Sequence, residues 1–275
     1  MWHTLIGENH NLKNLQTRID EIYEKHQGTL TKSENRIIKG LIRTVKISKK
    51  INRNCIPHHI AFIMDGNGRW AQSRGLPRKF GHKVGSERML TTLRRCVELG
   101  IQYVTFFAFS TENWNRPKDE LDEMFGQARS TIERIVPELM ELGVRMRTMG
   151  DITRFPDDLH NALLDIQAKT EHNNRCTLVL CANYGGRADI VQAVNKLEKP
   201  ITENDITNAL YCSDIPEPDL IVRTSGERRI SNFLLWQMAY SELLFIKPHW
   251  PSMSPKLVDK CIIDFGKRKR RYGGI

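Results

Sequence analysis

The feature that most constrains the fold is an unbroken apolar run at residues 60–64, IAFIM, which ends in a single acid, Asp65. No polar residue alternates with these side chains, and such a run is typical of a strand buried on both faces of a parallel sheet. Ligands of open α/β sheets bind beyond the carboxyl ends of the strands, which is where Asp65 falls. The run therefore predicts an α/β fold with a polar site at the end of this strand.

The segment that follows the acid suits a phosphate site assisted by a metal. Gly66 and Gly68 allow backbone amides to approach an anion closely, and a carboxylate beside them can hold Mg²⁺ on that anion. A strand-end turn in which Asp65 caps a helix explains the same residues equally well, because short glycine motifs are weak indicators. The segment alone leaves both interpretations open.

Length and charge narrow the class of protein. The chain has 275 residues and a formal net charge of +10 at pH 7. This length fits one large α/β domain or two small ones, and either arrangement buries a substantial core. The excess of basic residues suits anionic partners, namely diphosphates, nucleic acid or a membrane surface.

Cysteine usage and hydropathy indicate the compartment. The six cysteines form no CxxC pair and no metal-like cluster with histidine, so we expect reduced and mostly buried thiols in a cytoplasmic protein. No apolar run reaches the 18 residues of a membrane span, and residues 2–11 do not resemble a signal peptide. We therefore expect a soluble protein that is at most peripheral to a membrane.

The chain divides by composition near residue 54. Before it, apolar residues recur at helical spacing in 12–22 and 37–45, which predicts a helical N-terminal extension over residues 1–54. After it, strand and helix patterns alternate, which predicts one α/β domain over residues 55–275 with a mostly parallel six-stranded central sheet flanked by helices. The predicted strands are 60–64, 103–109, 144–149, 177–182, 220–222 and 243–246. The predicted helices are 85–99, 119–142 (kinked at Pro137), 156–172, 187–197, 203–211 and 255–270.

Arginines collect after the predicted strands, on the rim where Asp65 lies. A single loop arginine is usually a solvated surface charge, but four such residues beside one acid suit two diphosphates with Mg²⁺. They are Arg69, Arg78, Arg223 and Arg229. The sequence contains no Walker A loop, no GxGxxG motif, no triad order and no pair of catalytic carboxylates that stands out.

Six motifs in order carry a family resemblance that spans residues 58–274. They are HIAFIMDGNGRW (59–70), GLPRKFGH (75–82), FAFSTENWNRP (107–117), ANYGGRAD (182–189), DLIVRTSGERRISNFLLW (219–236) and RYG (271–273). With these motifs the chain resembles a cis-prenyltransferase of the undecaprenyl diphosphate synthase family. The resemblance implies a homodimeric, Mg²⁺-dependent transferase. Such an enzyme condenses isopentenyl diphosphate with an allylic diphosphate, typically farnesyl diphosphate, and makes a cis-polyprenyl diphosphate for lipid-carrier synthesis.

The resemblance also implies roles for individual residues. Asp65 and Glu242 would bind the metal, and Asp65, Asn113, His82 and Ser110 would act in catalysis, with Asn113 placed to steer proton removal. The allylic diphosphate would lie against Gly66, Asn67, Gly68, Arg69 and Arg78, and isopentenyl diphosphate against Arg223, Arg229 and Ser231, with Glu227 structural to that loop. Further substrate-binding positions would be Trp70, Arg74 (in a closing loop), Glu112, Trp114, Arg116 and, from a tail that reaches the partner subunit's site, Arg271 and Gly273.

Several of these residues also have a purely structural explanation. Trp70 and Trp114 suit buried packing as well as a substrate pocket, and the apolar face of helix 119–142 suits a core as well as a tunnel for the growing chain. His82 taken alone reads as a structural histidine. The basic run Lys267–Arg271 is explained by favourable charge at the carboxyl end of its own helix. We therefore do not expect nucleic acid as a partner.

Other classes of protein fit less well. A non-catalytic subunit of a heteromeric prenyltransferase would lack the diphosphate residues that this chain keeps. A phosphatase with Asp65 as nucleophile would need a second acid where Asn67 stands. A trans-prenyltransferase would need a DDxxD motif, and the stretch at 157–161 lacks its final acid. An enzyme that couples two allylic substrates stays open as an alternative.

Overall fold

The computed structural model describes residue 42 and residues 49–270. Six parallel strands form its central sheet: β1 (His59–Ile63), β2 (Tyr103–Ser110), β3 (Val144–Met149), β4 (Cys176–Tyr184), β5 (Leu220–Arg223) and β6 (Glu242–Phe245). Their order across the sheet is β3-β4-β2-β1-β5-β6, and every neighbouring pair is parallel. The predicted parallel α/β sheet is confirmed. Apart from residue 42, which is helical, the helices predicted within residues 1–54 lie outside the described residues, as do Arg271 and Gly273 of the tail.

Seven α-helices accompany the strands in the described part of the chain. They are α1 (Asn67–Gln72), α2 (Arg78–Leu99), α3 (Lys118–Leu142), α4 (Asp157–Thr170), α5 (Gly186–Val194), α6 (Glu203–Ala209) and α7 (Pro255–Phe265). Glycines 100 and 143 end α2 and α3, as predicted. α3 continues through Pro137. Helices α4 to α7 are shorter at their carboxyl ends than predicted.

Two helical features differ from the sequence prediction. α1 occupies the segment predicted as a turn, and α2 begins at Arg78 rather than at residue 85. Gly81 looks like a helix breaker, but a Cβ at this position would lie 1.9 Å from the main-chain oxygen of Asn67. Glycine at 81 therefore lets α2 pack directly against α1, and contact with a neighbouring helix outweighs its low helix propensity.

The core lies on both faces of the sheet because the central strands are apolar throughout. All five residues of β1 are buried. On one face the rings of Phe62, Phe106 and Trp250 pack together with centroids 5.3 to 5.9 Å apart. On the other face Phe107 stacks on Phe233 at 4.6 Å. The continuous apolar runs thus fill two layers, as expected for a parallel sheet covered by helices.

By their internal contacts the residues form two compact units. One comprises residues 57–254 with the chain end from Lys269, and it contains the whole sheet. The other contains α7, in which Val258, Cys261 and Ile262 are buried. The domain boundary between residues 54 and 55 stays a prediction.

The cysteines are free and mostly buried, as predicted. All six cysteines are free thiols, and four of them are buried. Burial raises the pKa of Cys176 to about 12, so this thiol is unreactive at neutral pH. Within the described residues, no helix is both long and apolar enough to cross a bilayer.

Candidate active site

A polar cleft of about 370 Å³ opens at the carboxyl ends of β1, β2 and β5. Ile63, the last residue of β1, is in register with Phe107 on β2 and with Arg223 on β5, so the loops after these strands meet at one edge. The cleft brings together nine residues that the sequence singles out: Asp65, Asn67, His82, Ser110, Asn113, Arg116, Arg223, Arg229 and Ser231. Residues as far apart in the sequence as Asp65 and Ser231 thus share one site.

Asp65 lies between two arginines. Its Oδ1 accepts a hydrogen bond from Arg69 Nη2 at 3.0 Å, and its Oδ2 accepts one from Arg223 Nη2 at 2.9 Å. Burial opposes ionisation of this carboxyl, but the hydrogen bonds from Arg223 and Arg69 outweigh it and hold its pKa below the usual range. Asp65 is therefore a carboxylate at neutral pH, as a metal ligand must be.

Glu227 continues the chain of charges. It accepts hydrogen bonds from Arg69 at 2.8 Å and from Arg229 at 2.5 Å. These two guanidinium groups hold the pKa of Glu227 below its ordinary value. Carboxylates and arginines therefore alternate from Arg229 through Glu227, Arg69 and Asp65 to Arg223, which links the two predicted diphosphate sites.

Arg223 is also held by the segment 229–234, in which several residues other than glycine have a left-handed backbone. Ser231 Oγ accepts a hydrogen bond from Arg223 Nη1 at 2.8 Å, and the main-chain oxygen of Arg229 accepts another. Ser231, Asn232 and Leu234 all have positive φ values, between 45° and 62°. Left-handed conformations at residues other than glycine are strained and concentrate at functional sites. This segment folds over Arg223 and keeps its side chain only 4% exposed.

The segment after Asp65 is compact. Gly66 has a φ of +96°, which favours glycine, and it precedes α1 directly. A Cβ on Gly68 would lie 3.0 Å from Arg78 Cζ, so the Arg78 guanidinium covers the start of α1. Asn67 Oδ1 is buried and has no hydrogen-bond partner among the described residues. The structure thus groups Gly66, Asn67, Gly68 and Arg78 with Asp65, as the resemblance implies.

The loop after β2 supplies the opposite wall of the cleft. Asn113 Oδ1 accepts a hydrogen bond from Ser110 N at 3.0 Å, which fixes the turn that places both residues. Arg116 pairs with Glu120 on α3. Burial, and then the positive charge of Arg116, lower the pKa of His82, so a neutral imidazole faces the cleft at neutral pH.

Besides Gly66, Gly68, Arg69 and Arg78, four further predicted substrate residues lie outside the lining of the polar cleft. Trp114 donates a hydrogen bond to Asn183 at 2.7 Å and packs among phenylalanines. Arg74 stacks on the Trp70 ring with its Cζ 4.2 Å from the ring centroid. Glu112 accepts a hydrogen bond from Asn232 Nδ2 at 2.8 Å. The contacts of Trp114 support the packing interpretation for that residue.

The structure does not bring Glu242 to Asp65 within one chain. Glu242 begins β6 and is in register with Leu220, which is itself in register with Ile60 near the start of β1. It therefore lies at the amino edge of the sheet, whereas Asp65 lies at the carboxyl edge. Arg270, the last described residue, pairs with Asp219 at the same amino edge.

The donors at Asp65 fit Mg²⁺ better than a metal held by protein ligands alone. The described residues contain no group of three or more His, Cys, Asp or Glu that could hold a metal ion. Mg²⁺ is commonly bound by one or two carboxylates together with substrate phosphates and water. A single ionised carboxylate beside several arginines suits that arrangement, because the arginines bind the same phosphate groups.

An apolar cavity of about 190 Å³ adjoins the polar cleft and shares lining residues with it. The shared residues are Met64, Asn67, His82, Ala108 and Met124. The deeper wall is apolar and includes Ala128, Ile132 and Ile135 of α3. The face of α3 that the sequence assigns to a tunnel or a core therefore borders a cavity that opens beside the charged groups.

Thr224 and Trp250 hold the main chain of Asp65, and neither is among the predicted site residues. Thr224 Oγ1 accepts a hydrogen bond from Asp65 N at 3.0 Å and donates one to Asp65 O at 2.7 Å. Trp250 N donates a second hydrogen bond to Asp65 O at 2.9 Å. The position of Thr224 directly after a predicted site arginine was an available indication, whereas nothing in the sequence pointed to Trp250.

Comparisons with known proteins agree with this geometry. A prenyltransferase family model, described as "Putative undecaprenyl diphosphate synthase", matches residues 63–273. An isoprenyl transferase of Neisseria meningitidis serogroup A is 46% identical over 227 residues, which cover 81% of this chain and 92% of that protein. A (2E,6E)-farnesyl-diphosphate specific ditrans,polycis-undecaprenyl-diphosphate synthase of Micrococcus luteus is 41% identical over 238 residues, with 83% and 96% covered.

Solved structures show the same fold. Lavandulyl diphosphate synthase from Lavandula x intermedia, in complex with dimethylallyl diphosphate, superposes with a TM-score of 0.77 at 30% identity and covers 80% of this chain and 100% of its own. A probable undecaprenyl diphosphate synthase from Campylobacter jejuni superposes with a TM-score of 0.68 at 31% identity, with 79% and 99% covered. The chain therefore belongs to the prenyltransferase family of the undecaprenyl diphosphate synthases.

Proposed function

We propose that this prenyltransferase condenses isopentenyl diphosphate with an allylic diphosphate, with farnesyl diphosphate as the primer, and makes a cis-polyprenyl diphosphate for lipid-carrier synthesis. The observation that carries the proposal is the junction of the charged cleft at Asp65 with the apolar cavity beside α3. A prenyl diphosphate has one charged end and one apolar end, so this junction suits it. The name of the Micrococcus luteus relative supports the choice of farnesyl diphosphate.

The arginines in and beside the cleft suit two diphosphate groups. We assign Arg69 and Arg78 to the allylic diphosphate, because Arg69 bonds to Asp65 and Arg78 covers Gly68. We assign Arg223, Arg229 and Ser231 to isopentenyl diphosphate, because they are joined to one another by hydrogen bonds. Arg69, Arg223 and Arg229 each pair with Asp65 or Glu227, and a diphosphate can take the place of these carboxylates.

Asp65 is the residue that would hold Mg²⁺ on the allylic diphosphate. When bound, the metal offsets negative charge that grows on the leaving diphosphate as the C–O bond breaks. Arg69 and Arg78 add to this stabilisation from positions fixed before the reaction. Glu242 lies at the other edge of the sheet, so it would bind a metal only at a site other than the cleft of its own chain.

Proton removal follows formation of the new C–C bond, and the far wall of the cleft supplies polar groups for it. We assign Asn113, Ser110 and His82 to this wall. The Ser110–Asn113 hydrogen bond holds the Asn113 amide in place. The lowered pKa of His82 leaves its imidazole neutral and able to accept a proton. Arg116, beside His82, adds positive charge that suits a diphosphate.

We further propose a homodimer in the cytoplasm with peripheral membrane association, since the net charge of +10 suits an anionic lipid surface. A non-catalytic partner subunit is the alternative. The presence of Asp65, Arg69, Arg223 and Arg229 in one hydrogen-bonded array argues against it. Residues 1–54 remain proposed as a separate helical extension.

The proposal is tested by incubating the purified protein with farnesyl diphosphate, radiolabelled isopentenyl diphosphate and Mg²⁺ and then measuring label in extractable lipid. Asp65→Ala should lower turnover by about a hundredfold or more, the scale of losing one key electrostatic stabiliser, while circular dichroism shows a folded protein. Asp158→Ala is the matched control, because Asp158 also pairs with an arginine but is exposed. Near wild-type turnover in a folded Asp65→Ala protein would refute the proposal.

A further inference from the structure

The loops after β5 and β6 both form hydrogen bonds with the main chain of Asp65. Thr224, after β5, bonds to the Asp65 amide and carbonyl through its hydroxyl, and Trp250, after β6, donates to the same carbonyl. These contacts fix the peptide units on either side of the metal-binding candidate. The direction of the Asp65 carboxylate therefore depends on how well the two loops are held together.

One side-chain hydrogen bond joins these two loops. Ser225 Oγ and His249 Nδ1 lie 2.7 Å apart, and Ser225 directly follows Thr224 while His249 directly precedes Trp250. Main-chain bonds from Ser225 N to Pro248 O at 2.8 Å and from Gly226 N to Ile246 O at 2.8 Å extend the connection. Ser225 has a φ of +79°, which serine rarely adopts.

Gly66 lies directly against this pair. A Cβ on Gly66 would be 2.6 Å from Ser225 Oγ and 2.6 Å from His249 Nδ1. Gly66 is thus packed against this hydrogen bond, with no room for a side chain at position 66. Neither Ser225 nor His249 is among the described residues that line the polar cleft, so any effect on substrate passes through Asp65 and Gly66.

We infer that Ser225 and His249 are positioning residues for the allylic diphosphate site. Their hydrogen bond holds the loops after β5 and β6 together, and this keeps the Asp65–Gly66 main chain in the conformation that aims the Asp65 carboxylate at Arg69 and Arg223. Ser225, which makes this bond, has a strained backbone, as is common at functional sites. The inference rests on the proposed function, because it assigns the pair a part in binding an allylic diphosphate with Mg²⁺.

Ser225→Gly separates positioning from general stability. Glycine suits a φ of +79°, so this change relieves strain while it removes the hydroxyl. We expect a Tm equal to or above that of the wild type, together with about tenfold weaker binding of farnesyl diphosphate at fixed Mg²⁺, the scale of losing one hydrogen bond. The Mg²⁺ concentration needed for half-maximal binding should rise as well.

Substitutions of His249 provide a second test of the inference. His249→Leu should weaken binding of farnesyl diphosphate by a similar factor, whereas His249→Asn should retain most of the affinity, because an amide can replace Nδ1 as the partner of Ser225. His172→Leu is the matched control, since His172 is exposed after α4. Isothermal titration calorimetry with farnesyl diphosphate, without isopentenyl diphosphate, supplies the affinities, and thermal melts supply the Tm values.

The outcomes are distinct. Wild-type affinity and Mg²⁺ dependence in folded Ser225→Gly and His249→Leu would overturn the inference and leave the proposed function intact. Losses that follow Tm in every variant, with no rescue by His249→Asn, would show a merely structural role and also overturn it. No binding of farnesyl diphosphate by the wild-type protein would contradict the proposed function itself.

Discussion

Arg223 Nη2 donates a hydrogen bond to Asp65 Oδ2 at 2.9 Å, which joins the arginine assigned to isopentenyl diphosphate to the carboxylate assigned to Mg²⁺. The same carboxylate is bonded to Arg69 through its other oxygen. We therefore expect Asp65 to change partners when substrates bind. As its carboxylate binds the metal, the donors of Arg69 and Arg223 become free to bind phosphate oxygens. The pair keeps both groups charged in the absence of substrate and explains how a nearly buried arginine is accommodated.

The two arginine groups should separate the two substrates kinetically. Arg223→Ala and Arg229→Ala should raise the KM for isopentenyl diphosphate by about tenfold or more, because each removes charge-assisted hydrogen bonds. Arg69→Ala and Arg78→Ala should act mainly on the KM for farnesyl diphosphate. Initial rates with one substrate varied at a time provide the measurement, and Arg94→Ala, an exposed arginine of α2, is the control. Equal effects of all four changes on both constants would contradict the assignment.

Product length should depend on the face of α3 that borders the apolar cavity. Ala128 lines this cavity, so Ala128→Leu should shorten the polyprenyl chain without preventing the first condensation. Ser130→Leu introduces the same side chain on the exposed side of the same helix and should leave the length distribution unchanged. Thin-layer chromatography of the dephosphorylated products measures both. An identical distribution for the wild type and Ala128→Leu would mean that this wall does not limit growth.

The chain end should act on a second copy of the protein. Arg270, the last described residue, pairs with Asp219 at the amino edge of the sheet, opposite to the edge at which Asp65 lies. Deletion of residues 271–275 should abolish most turnover and leave the dimer intact by analytical ultracentrifugation. A two-fold dimer gives each deleted chain the possibility of a tail from its partner.

Subunit exchange tests this contribution directly. An equal mixture of the deleted chain and the Asp65→Ala chain should recover about a quarter of wild-type activity, since half of the dimers are mixed and each has one complete site. Mass spectrometry of differently tagged chains verifies the exchange. Activity that stays at the level of the separate mutants after full exchange would show that the tail does not act across the dimer.

His59 should make stability depend on pH in mildly acidic solution. Its ring is 2% exposed and bonds to Pro216 O at 2.6 Å and Thr105 Oγ1 at 2.7 Å. Burial lowers its pKa to about 4 from 6.5, so the unfolded chain binds this proton more readily. The free energy of unfolding should therefore fall as the pH drops from 6.5 towards 4, by about 3 kcal/mol in all.

Urea unfolding of the wild type and His59→Gln over this pH range isolates the effect, because glutamine keeps a donor and an acceptor but does not titrate. Other groups with lowered pKa values, such as His82, contribute equally to both proteins and cancel in the difference. His172→Gln, the same substitution at an exposed histidine, is the matched control. Parallel curves for the wild type and His59→Gln would contradict the prediction.

The sheet could be predicted from the sequence because its central strands are continuous apolar runs, and a strand buried on both faces leaves few alternatives. The start of α2 could not be predicted in this way. Its glycines at 81 and 85 are required by close packing against α1, whereas the low helix propensity of glycine argues against a helix there. The strained backbone at Ser231, Asn232 and Leu234 is likewise set by the groups it encloses. Tertiary contacts, rather than local preference, decide these segments.

The cleft was largely predictable because the residues that follow parallel strands share one edge of the sheet. The same rule placed Asp65, Arg223 and Arg229 together. The rule does not apply to Glu242, which is the first residue of β6 and so lies at the other edge of the sheet. Ser225 and His249 were missed because their contact joins two loops that the sequence does not bring into register.

The most direct test of the account is the stereochemistry of the condensation product. Purified protein is incubated with farnesyl diphosphate, ¹³C-labelled isopentenyl diphosphate and Mg²⁺, and the extracted polyprenyl chain is sized by mass spectrometry and analysed by NMR. The account predicts a linear chain longer than farnesyl in which each newly formed double bond is cis. Trans double bonds in the added units, or a branched product from coupling two allylic diphosphates, would contradict it.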